Sequence, residues 1–438
     1  MDNIDLLLHA RWLITVDSDN RVLEDHCLAI NGGQIIDILP STAAASRYQA
    51  NREQHFGEHV LMPGLINSHT HAAMNLMRGI ADDLPLMEWL EQHIWPTEAK
   101  WVNSDFVRDG TRLAIAEMIR GGTTCFNDMY FCPDEVARVA IETGIRASIG
   151  LIVIDFPTVW ANDADEYISK GLQVHEQVRD NALITTAFAP HAPYTVSDAP
   201  LQKINMLDEE LDIPIHMHMH ETADEVDMAI KDNGQHPLDR LHELGLLSPR
   251  MLAVHMTQLN DDDIDKVVSS GTHVLHCPES NLKLASGFCP VQKLLDAGVN
   301  VCLGTDGAAS NNDLDMLGEL RTAAMLAKGV SGNPCSVDAF TAVRMATING
   351  ARALGIDEVT GSLEIGKAAD VIAIDMDYIE TQPMFEPVSQ IVYATGRHQV
   401  TDVWVAGKQL LRDRKLTGMD EAELVKMAKT WGKKISKD

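Results

Sequence analysis

The feature that most constrains the fold is a series of eight short apolar runs between residues 61 and 306, separated by longer amphipathic stretches. One such stretch, 103–122, carries apolar residues at helical spacing and ends at a pair of glycines. Strands alternating with helices over about 250 residues are typical of a (β/α)8 barrel, with a doubly wound sheet as the alternative. The predicted strands are LMPGLINSH (61–69), TTCFND (123–128), IRASIGLIV (145–153), LITTAFAPH (183–191), IPIHMHM (213–219), MLAVHMT (251–257), THVLHCP (272–278) and NVCLGTD (300–306).

The two ends of the chain have a different pattern, with short strands and turn signals. Asn31-Gly32-Gly33 predicts a hairpin near the N-terminus, and Gly407 marks a similar turn near the C-terminus. This similarity predicts one small β-sandwich built from both termini. We therefore divide the chain into residues 1–57 (β-sandwich, N-terminal part), 58–368 (barrel) and 369–438 (β-sandwich, C-terminal part, with a solvated basic C-terminal helix).

Composition narrows the classes of partner. The chain has 35 basic and 64 acidic residues, a formal net charge of −29, which would repel nucleic acid and anionic membranes. A small-molecule substrate fits this surface better. Seven cysteines without a CxxC pair argue against a disulfide framework, and no run approaches the roughly 20 apolar residues of a membrane span. The N-terminus does not resemble a signal peptide, so we expect a cytoplasmic protein.

Polar residues at the predicted strand ends indicate where the chemistry lies. The carboxyl ends of the strands form the active-site mouth of a TIM barrel, so these side chains should converge although they are far apart in sequence. Asp306 could be a turn residue and His255 a core histidine. A carboxylate ending an apolar strand is costly to bury without a cation, which favours a ligand role for Asp306. The residues concerned are His69, His71, His191, the histidines of HMHMHET (216–222), His255 and Asp306.

Imidazoles with one carboxylate suit a borderline divalent ion such as zinc, although the same ligands could hold iron or manganese. We expect His69, His71, one histidine of strand five and Asp306 to bind the ion and to leave a position for water. Such a site predicts metal-assisted hydrolysis at an electron-poor carbon, with a nearby carboxylate and histidine moving protons.

The stretch HMHMHET leaves open which histidine binds the metal. Alternate side chains of a strand face the same way, so His216, His218 and His220 are predicted on one face. His216 and His220 would be about 13 Å apart along a strand, too far to share one ion. A metal at the barrel mouth disfavours His216, which we interpret as a barrel-interior residue satisfied by its neighbours. Spacing alone does not decide between His218 and His220.

Several longer motifs resemble the amidohydrolase superfamily, and specifically the 5'-methylthioadenosine/S-adenosylhomocysteine deaminases. The resemblance covers nearly the whole chain, and its motifs are too long for chance similarity. They are PGLINSHTH (63–71), HTHAAMNLMRGIADDLPLMEWL (69–90), FNDMYF (126–131), APHAPYTVS (189–197), HET (220–222), SNLKLASGFCPV (280–291) and LGTDGAASNN (303–312).

The resemblance implies a role for individual residues. One zinc ion per subunit would be bound by His69, His71, His218 and Asp306. Glu221 would carry the proton to the ring nitrogen, and His255 with Asp306 would orient or deprotonate the attacking water. The substrate contacts implied are Glu98 to the ribose hydroxyls, His191, Glu221 and Trp89, and His220 would be a pocket or neighbouring residue.

The implied reaction is deamination of an adenine nucleoside at C6, most simply 5'-methylthioadenosine to 5'-methylthioinosine and ammonia, with adenosine and S-adenosylhomocysteine as further candidates. Strand four lacks the lysine that two-metal relatives carry, which favours one metal. The loop after strand three is acidic, and the next arginine after Arg146 is Arg179. Since a carboxylate needs a fork-like cation, we rank S-adenosylhomocysteine below methylthioadenosine, with Lys170 or Arg78 as possible substitutes.

Two alternatives remain open from the sequence. The same scaffold could act on another heterocycle, as a deaminase or dechlorinase of guanine, cytosine or a triazine. The chain could also be an inactive binding or assembly protein, although such proteins usually lose ligands and all of the proposed ones are present. Related barrels lead us to expect a homo-oligomer, either a dimer or a tetramer.

Overall fold

Two separate eight-stranded sheets are formed within residues 1–436, which are the residues that the computed structural model describes. The strands are β1 (Asp2–Ile14), β2 (Val22–Asn31), β3 (Gln34–Pro40), β4 (Tyr48–Pro63), β5 (Leu65–Thr70), β6 (Thr123–Tyr130), β7 (Arg146–Val153), β8 (Ile184–Pro190), β9 (Ile215–Met219), β10 (Met251–His255), β11 (His273–His276), β12 (Val301–Leu303), β13 (Val371–Asp375), β14 (Val400–Val405), β15 (Lys408–Arg412) and β16 (Lys415–Leu416).

Helices connect the strands of the second sheet and also follow the last strand of the chain. No helix within residues 1–436 is both long and apolar enough to cross a membrane. The α-helices are α1 (Ser41–Arg47), α2 (Leu86–Trp89), α3 (Trp95–Trp101), α4 (Ser104–Arg120), α5 (Pro133–Thr143), α6 (Ala164–Val178), α7 (Asp198–Leu211), α8 (Ala223–Asn233), α9 (Pro237–Glu243), α10 (Asp261–Ser270), α11 (Pro278–Lys283), α12 (Val291–Asp296), α13 (Met316–Ser331), α14 (Ala339–Met345), α15 (Ile348–Ala353), α16 (Pro387–Tyr393) and α17 (Glu421–Ile435).

The strands β5 to β12 form a parallel barrel in chain order, which confirms the predicted (β/α)8 architecture. Strands β6 and β7 are buried along their whole length, because helices cover the outside of the sheet. The barrel closes where the N–H of Asp306 donates to the carbonyl of His69 at 3.0 Å. The last and first strands therefore meet at two predicted metal ligands.

The first predicted strand, 61–69, differs from the structure because the chain changes sheets at Gly64. Residues 61–63 finish β4 in the terminal sheet, and β5 begins at Leu65 in the barrel. A Cβ atom at Gly64 would lie 2.1 Å from Thr124 Oγ1, so the crossing point requires a residue without a side chain.

The terminal sheet has the order β16-β15-β14-β13-β4-β1-β2-β3 and so joins both ends of the chain, as predicted. The predicted hairpin connects β2 to β3 through Gly32 and Gly33, whose φ angles are 57° and 80°. Its strands share one buried core, in which Trp404 of β14 lies with Leu8 of β1. The domain limits at 57/58 and 368/369 stay a prediction.

The predicted C-terminal helix is α17, which is mostly exposed and packs on α4 through Trp431. The Trp431 ring lies 5.3 Å from that of Phe106, and its Nε1 donates to Asp109 Oδ2 at 2.9 Å. Residues 437 and 438 of the predicted C-terminal part lie outside the described residues.

A buried ion pair joins the barrel to the terminal sheet. Arg146, at the start of β7, donates through Nε to Asp370 Oδ2 at 2.9 Å and through Nη1 to the carbonyl of Ala182 at 3.0 Å. Asp370 also accepts the N–H of Ala406 at 2.7 Å. The two charged side chains are only 6% and 0% exposed, so each depends on the other for compensation.

We expect Arg146→Met to lower the free energy of unfolding by about 3–5 kcal/mol, because it leaves the Asp370 carboxylate buried without its cation. Urea denaturation followed by circular dichroism would measure the change. The control is Arg138→Met, which removes the surface ion pairs to Glu135 and Glu142 and should cost no more than about 1 kcal/mol. Equal losses in the two variants would contradict this role of Arg146.

Candidate metal centre and active site

Three imidazoles and one carboxylate meet at the carboxyl end of the barrel. His69, His71, His218 and Asp306 each direct one donor atom to a common point, with all four atoms within 4.8 Å of one another. Asp306 Oδ1 lies 3.3 Å from His69 Nε2 and 3.2 Å from His71 Nε2. The Nε2 atom of His218 lies 3.2 Å from each of the same two nitrogens.

The protonation of two rings is fixed by the backbone. His71 Nδ1 lies 2.5 Å from the carbonyl of Met129, and His218 Nδ1 lies 2.8 Å from the carbonyl of His191. A carbonyl only accepts, so each Nδ1 carries the proton and each neutral ring presents an Nε2 lone pair. Two lone pairs facing each other at 3.2 Å repel unless a cation lies between them. The donor set therefore fits a divalent metal ion such as zinc.

Asp306 is held in place from its other side. Its Oδ2 accepts the hydroxyls of Ser280 at 2.7 Å and Ser310 at 2.9 Å. These two hydroxyl donors favour the charged carboxylate over the protonated carboxyl. The charged form is thus the one prepared for a cation.

The three histidines of HMHMHET do not share one face. His216 Nε2 lies 2.8 Å from His69 Nδ1 inside the barrel, so it is satisfied by neighbours as predicted. His218 is in the metal-binding group. Strand β9 ends at Met219, and His220 has a φ of 50°, so its ring leaves the period-two alternation and does not line the cavity. The prediction of one face was wrong for this reason. Of the two positions expected for His220, the structure shows the one outside the pocket, next to Glu221.

Glu221 and His255 lie beside the metal-binding group, with Glu221 Oε2 at 3.7 Å from His255 Nε2. Burial raises the pKa of Glu221. A carboxyl with a raised pKa is better able both to accept and to donate a proton near neutral pH. His255 Nδ1 lies 2.9 Å from Asn281 Oδ1, an acceptor, which leaves Nε2 free to accept a proton. His255 has a φ of 72°, an unusual conformation of the kind found at functional sites.

A cavity of about 350 Å³ opens beside these groups, and the remaining predicted site residues line it. Glu98 lies in its wall and accepts the hydroxyl of Tyr130 at 2.7 Å. Burial raises the pKa of Glu98 to about 7 against the effect of that hydrogen bond. Trp89 lines the cavity and donates its Nε1 to the carbonyl of Ala81 at 3.1 Å. His191 lines the cavity next to His218, with ring centroids 4.9 Å apart.

Among the described residues, no lysine or arginine lines this cavity. The structure places Arg146 in the ion pair with Asp370. Arg78 pairs with Glu117, and Lys170 donates to the carbonyl of Trp160 at 2.6 Å. The two cations considered as substitutes are therefore engaged elsewhere.

Comparison with known proteins identifies the family. Residues 60–410 match the amidohydrolase family. The chain is 50% identical over 431 residues to a 5-methylthioadenosine/S-adenosylhomocysteine deaminase of Saccharophagus degradans, covering 98% of this chain and 97% of the relative. The chain belongs to the amidohydrolase family. This amidohydrolase is a metal-dependent hydrolase of the deaminase type.

Solved structures agree with this membership. An adenosine deaminase from Xanthomonas campestris with bound zinc is 52% identical, with a TM-score of 0.99 and full coverage of both chains. An atrazine chlorohydrolase from Arthrobacter aurescens, complexed with zinc, has a TM-score of 0.90 at 23% identity and covers 97% of this amidohydrolase and 99% of its own chain. The second likeness shows the shared fold alone.

Sequence reasoning missed the residues that orient the predicted ones. Ser280 and Asn281 lie in the motif SNLKLASGFCPV, and Tyr130 lies in FNDMYF, so a signal was present without an assigned role. Ser310 lies in the motif LGTDGAASNN after Asp306, so it too had a signal without an assigned role. Their roles depend on distances between side chains that only the folded structure gives.

We expect His218→Ala to lose one equivalent of bound zinc relative to the unchanged protein, because it removes one of the four converging donors. Inductively coupled plasma mass spectrometry after dialysis would measure the metal. His175→Ala is the control, because this histidine lies outside the group and contacts Thr186. Full zinc retention by the His218 variant would overturn its assignment as a ligand.

Proposed function

We propose that this amidohydrolase is a zinc-dependent deaminase of adenine nucleosides with 5'-methylthioadenosine as its main substrate. Water would replace the amino group at C6, giving 5'-methylthioinosine and ammonia. The observation that carries the proposal is an apolar cavity, without a lysine or arginine among its described lining residues, that opens directly onto the metal-binding group and Glu221. Adenosine and, with lower efficiency, S-adenosylhomocysteine are further candidates.

His69, His71, His218 and Asp306 would hold one zinc ion at this site in each subunit. Zinc supplies Lewis acidity, which makes water a nucleophile at neutral pH. The protein's share is to fix the four donors, with the rings of His71 and His218 oriented through their Nδ1 protons. Metal analysis of protein from cells would distinguish zinc from iron or manganese.

Glu221 and His255 would move the protons. We assign Glu221 to protonate the ring nitrogen beside C6, then to take the proton of the newly added hydroxyl and deliver it to the amino group, which leaves as ammonia. His255 and Asp306 would orient the attacking water and take its proton. The support is geometric: Glu221 and His255 lie within 3.7 Å of each other, and both line the cavity beside Asp306.

The sugar and its 5' substituent would occupy the outer part of the cavity. Glu98, oriented by Tyr130, would accept hydrogen bonds from the ribose hydroxyls. His191 and Trp89 would contact the nucleoside from the cavity wall. The outer wall is apolar and includes Phe156 and Val159, which suits a methylthio group.

The amino-acid carboxylate of S-adenosylhomocysteine would find no fork-like cation among the described lining residues. It would therefore have to stay in water at the cavity mouth. The relative from Saccharophagus degradans carries both substrates in its name, and the protein from Xanthomonas campestris is named for adenosine. The ranking among the three nucleosides therefore comes from this cavity and not from the names.

The remaining alternatives are weaker. A triazine dechlorinase shares only the fold, at 23% identity. An inactive binding protein would not need four converging metal donors together with a buried Glu221.

We also propose that the protein is a cytoplasmic homo-oligomer, either a dimer or a tetramer, as related barrels are. Six of its seven cysteines are buried, and all seven are unpaired, which suits a reducing compartment. Light scattering of the purified protein would measure the state.

The proposed function is tested by an ultraviolet spectral screen of zinc-loaded protein against methylthioadenosine, adenosine and S-adenosylhomocysteine. We expect conversion to hypoxanthine spectra, with kcat/KM at least about tenfold higher for methylthioadenosine than for S-adenosylhomocysteine, a difference of roughly 1.4 kcal/mol. A higher kcat/KM for the carboxylate-bearing substrate would reject the ranking. Absence of ammonia release from all three would reject the deaminase proposal.

Glu98→Ala should lower kcat/KM for adenosine far more than for free adenine, because only the nucleoside has ribose hydroxyls to lose a partner. A loss of about 2–3 kcal/mol, typical of a charged hydrogen bond, is expected for the nucleoside. Glu88→Ala serves as the control, since Glu88 is exposed on the same segment. Equal losses for nucleoside and base would remove Glu98 from the ribose site.

A further inference from the structure

A second cluster of metal-ligating side chains lies outside the cavity, on the other side of β9. His220, His236 and Asp263 place one donor atom each within 4.8 Å of one another. They come from three elements: the residue after β9, the residue before α9 and the first turn of α10. The rings of His220 and His236 are perpendicular with centroids 4.5 Å apart, and His236 Nδ1 lies 3.5 Å from Asp263 Oδ1.

His220 carries the independent observation that points to a ligand. Its Nδ1 lies 2.8 Å from the carbonyl of Gln258, an acceptor, so the proton of the neutral ring is on Nδ1. The Nε2 lone pair is therefore left over. His220 is 0% exposed, and its Nε2 has no hydrogen-bond partner among the described residues. A buried acceptor without a partner is costly, and a cation would satisfy it.

The other two members fit the same occupant. His236 Nδ1 is also buried without a hydrogen-bond partner among the described residues, while the side chain as a whole is 18% exposed. Asp263 is 1% exposed and uses Oδ2 to accept the N–H of Asn260, which leaves Oδ1 directed at His236. Asp239, the nearby acidic residue, is already paired with Lys266 at 2.6 Å. The cluster thus offers two imidazoles, one carboxylate and a path to solvent along His236.

We propose that His220, His236 and Asp263 form a second divalent-cation site that takes zinc or a similar borderline ion. Two nitrogen ligands and one oxygen ligand match the preference of such an ion, and water would complete the coordination. The site is additional to the zinc ion of the active site and does not depend on the proposed reaction.

The position of the site indicates the role that a bound ion would have. Glu225 accepts the N–H groups of His220 and Glu221, at 3.2 and 2.7 Å, so the backbone that carries Glu221 is anchored beside this cluster. An ion bound here would tie the end of β9 to the starts of α9 and α10. The ion would stabilise the segment that carries Glu221 and would take no part in the reaction.

The test is a zinc count on the purified full-length protein, stripped with a chelator and dialysed against buffered zinc. We expect about two zinc ions per chain in the unchanged protein and about one in both His236→Ala and Asp263→Asn. The cobalt-loaded protein should lose one set of visible absorption bands in the same variants. Circular dichroism and the remaining set of cobalt bands, which belongs to the active site, verify that each variant is folded.

Two control variants identify the location. His242→Ala removes an exposed histidine of α9 outside the cluster and should keep both ions. His55→Ala removes a member of the surface group His9, Glu53 and His55 and should also keep both. One zinc ion in the unchanged protein, two in the His236 variant, or loss of the second ion in the His55 variant would each overturn the proposal. Loss of the His218-dependent ion in the His236 variant would also overturn it, because the cluster would then hold no separate ion.

Discussion

The metal-binding geometry of the active site depends on which nitrogen carries the proton in two histidine rings. His71 and His218 donate through Nδ1 to the carbonyls of Met129 and His191, and this leaves their Nε2 lone pairs 3.2 Å apart. The carbonyls belong to the ends of β6 and β8, so the orientation of the rings follows from the register of the barrel strands. The barrel strands therefore set the orientation of these two metal-binding rings directly.

Other parts of the structure maintain this arrangement. The hydroxyls of Ser280 and Ser310 orient one oxygen of Asp306 and leave the other for the common point. His255 and Asp306 have φ angles of 72° and 63°, conformations that each cost about 1–3 kcal/mol in a residue other than glycine. The surrounding hydrogen bonds must outweigh that cost. Such strain directs side chains of short strands inward at the mouth of the barrel.

Much of the fold was predictable from the sequence because hydrophobic runs and strand-end histidines are local signals. His69, His71 and Asp306 follow apolar strands that are visible in the sequence, and the structure brings them together. The family resemblance was needed to choose His218. His220 was misjudged because a single backbone angle ends the alternation after Met219, and no residue type in HMHMHET signals that change. Asn281 was missed because its partner His255 is 26 residues away in sequence.

The crossing of the chain at Gly64 also bears on how the protein is made. The strand β4 pairs with β1 on one side and with β13 on the other, so the centre of the terminal sheet joins strands from both ends of the chain. During synthesis β4 lacks its second neighbour until about three hundred further residues have been added, and such non-local pairing is slow to form. The edge of β4 that pairs with β13 is therefore unpaired in any incomplete chain, and an unpaired edge is a site where strands of different chains associate.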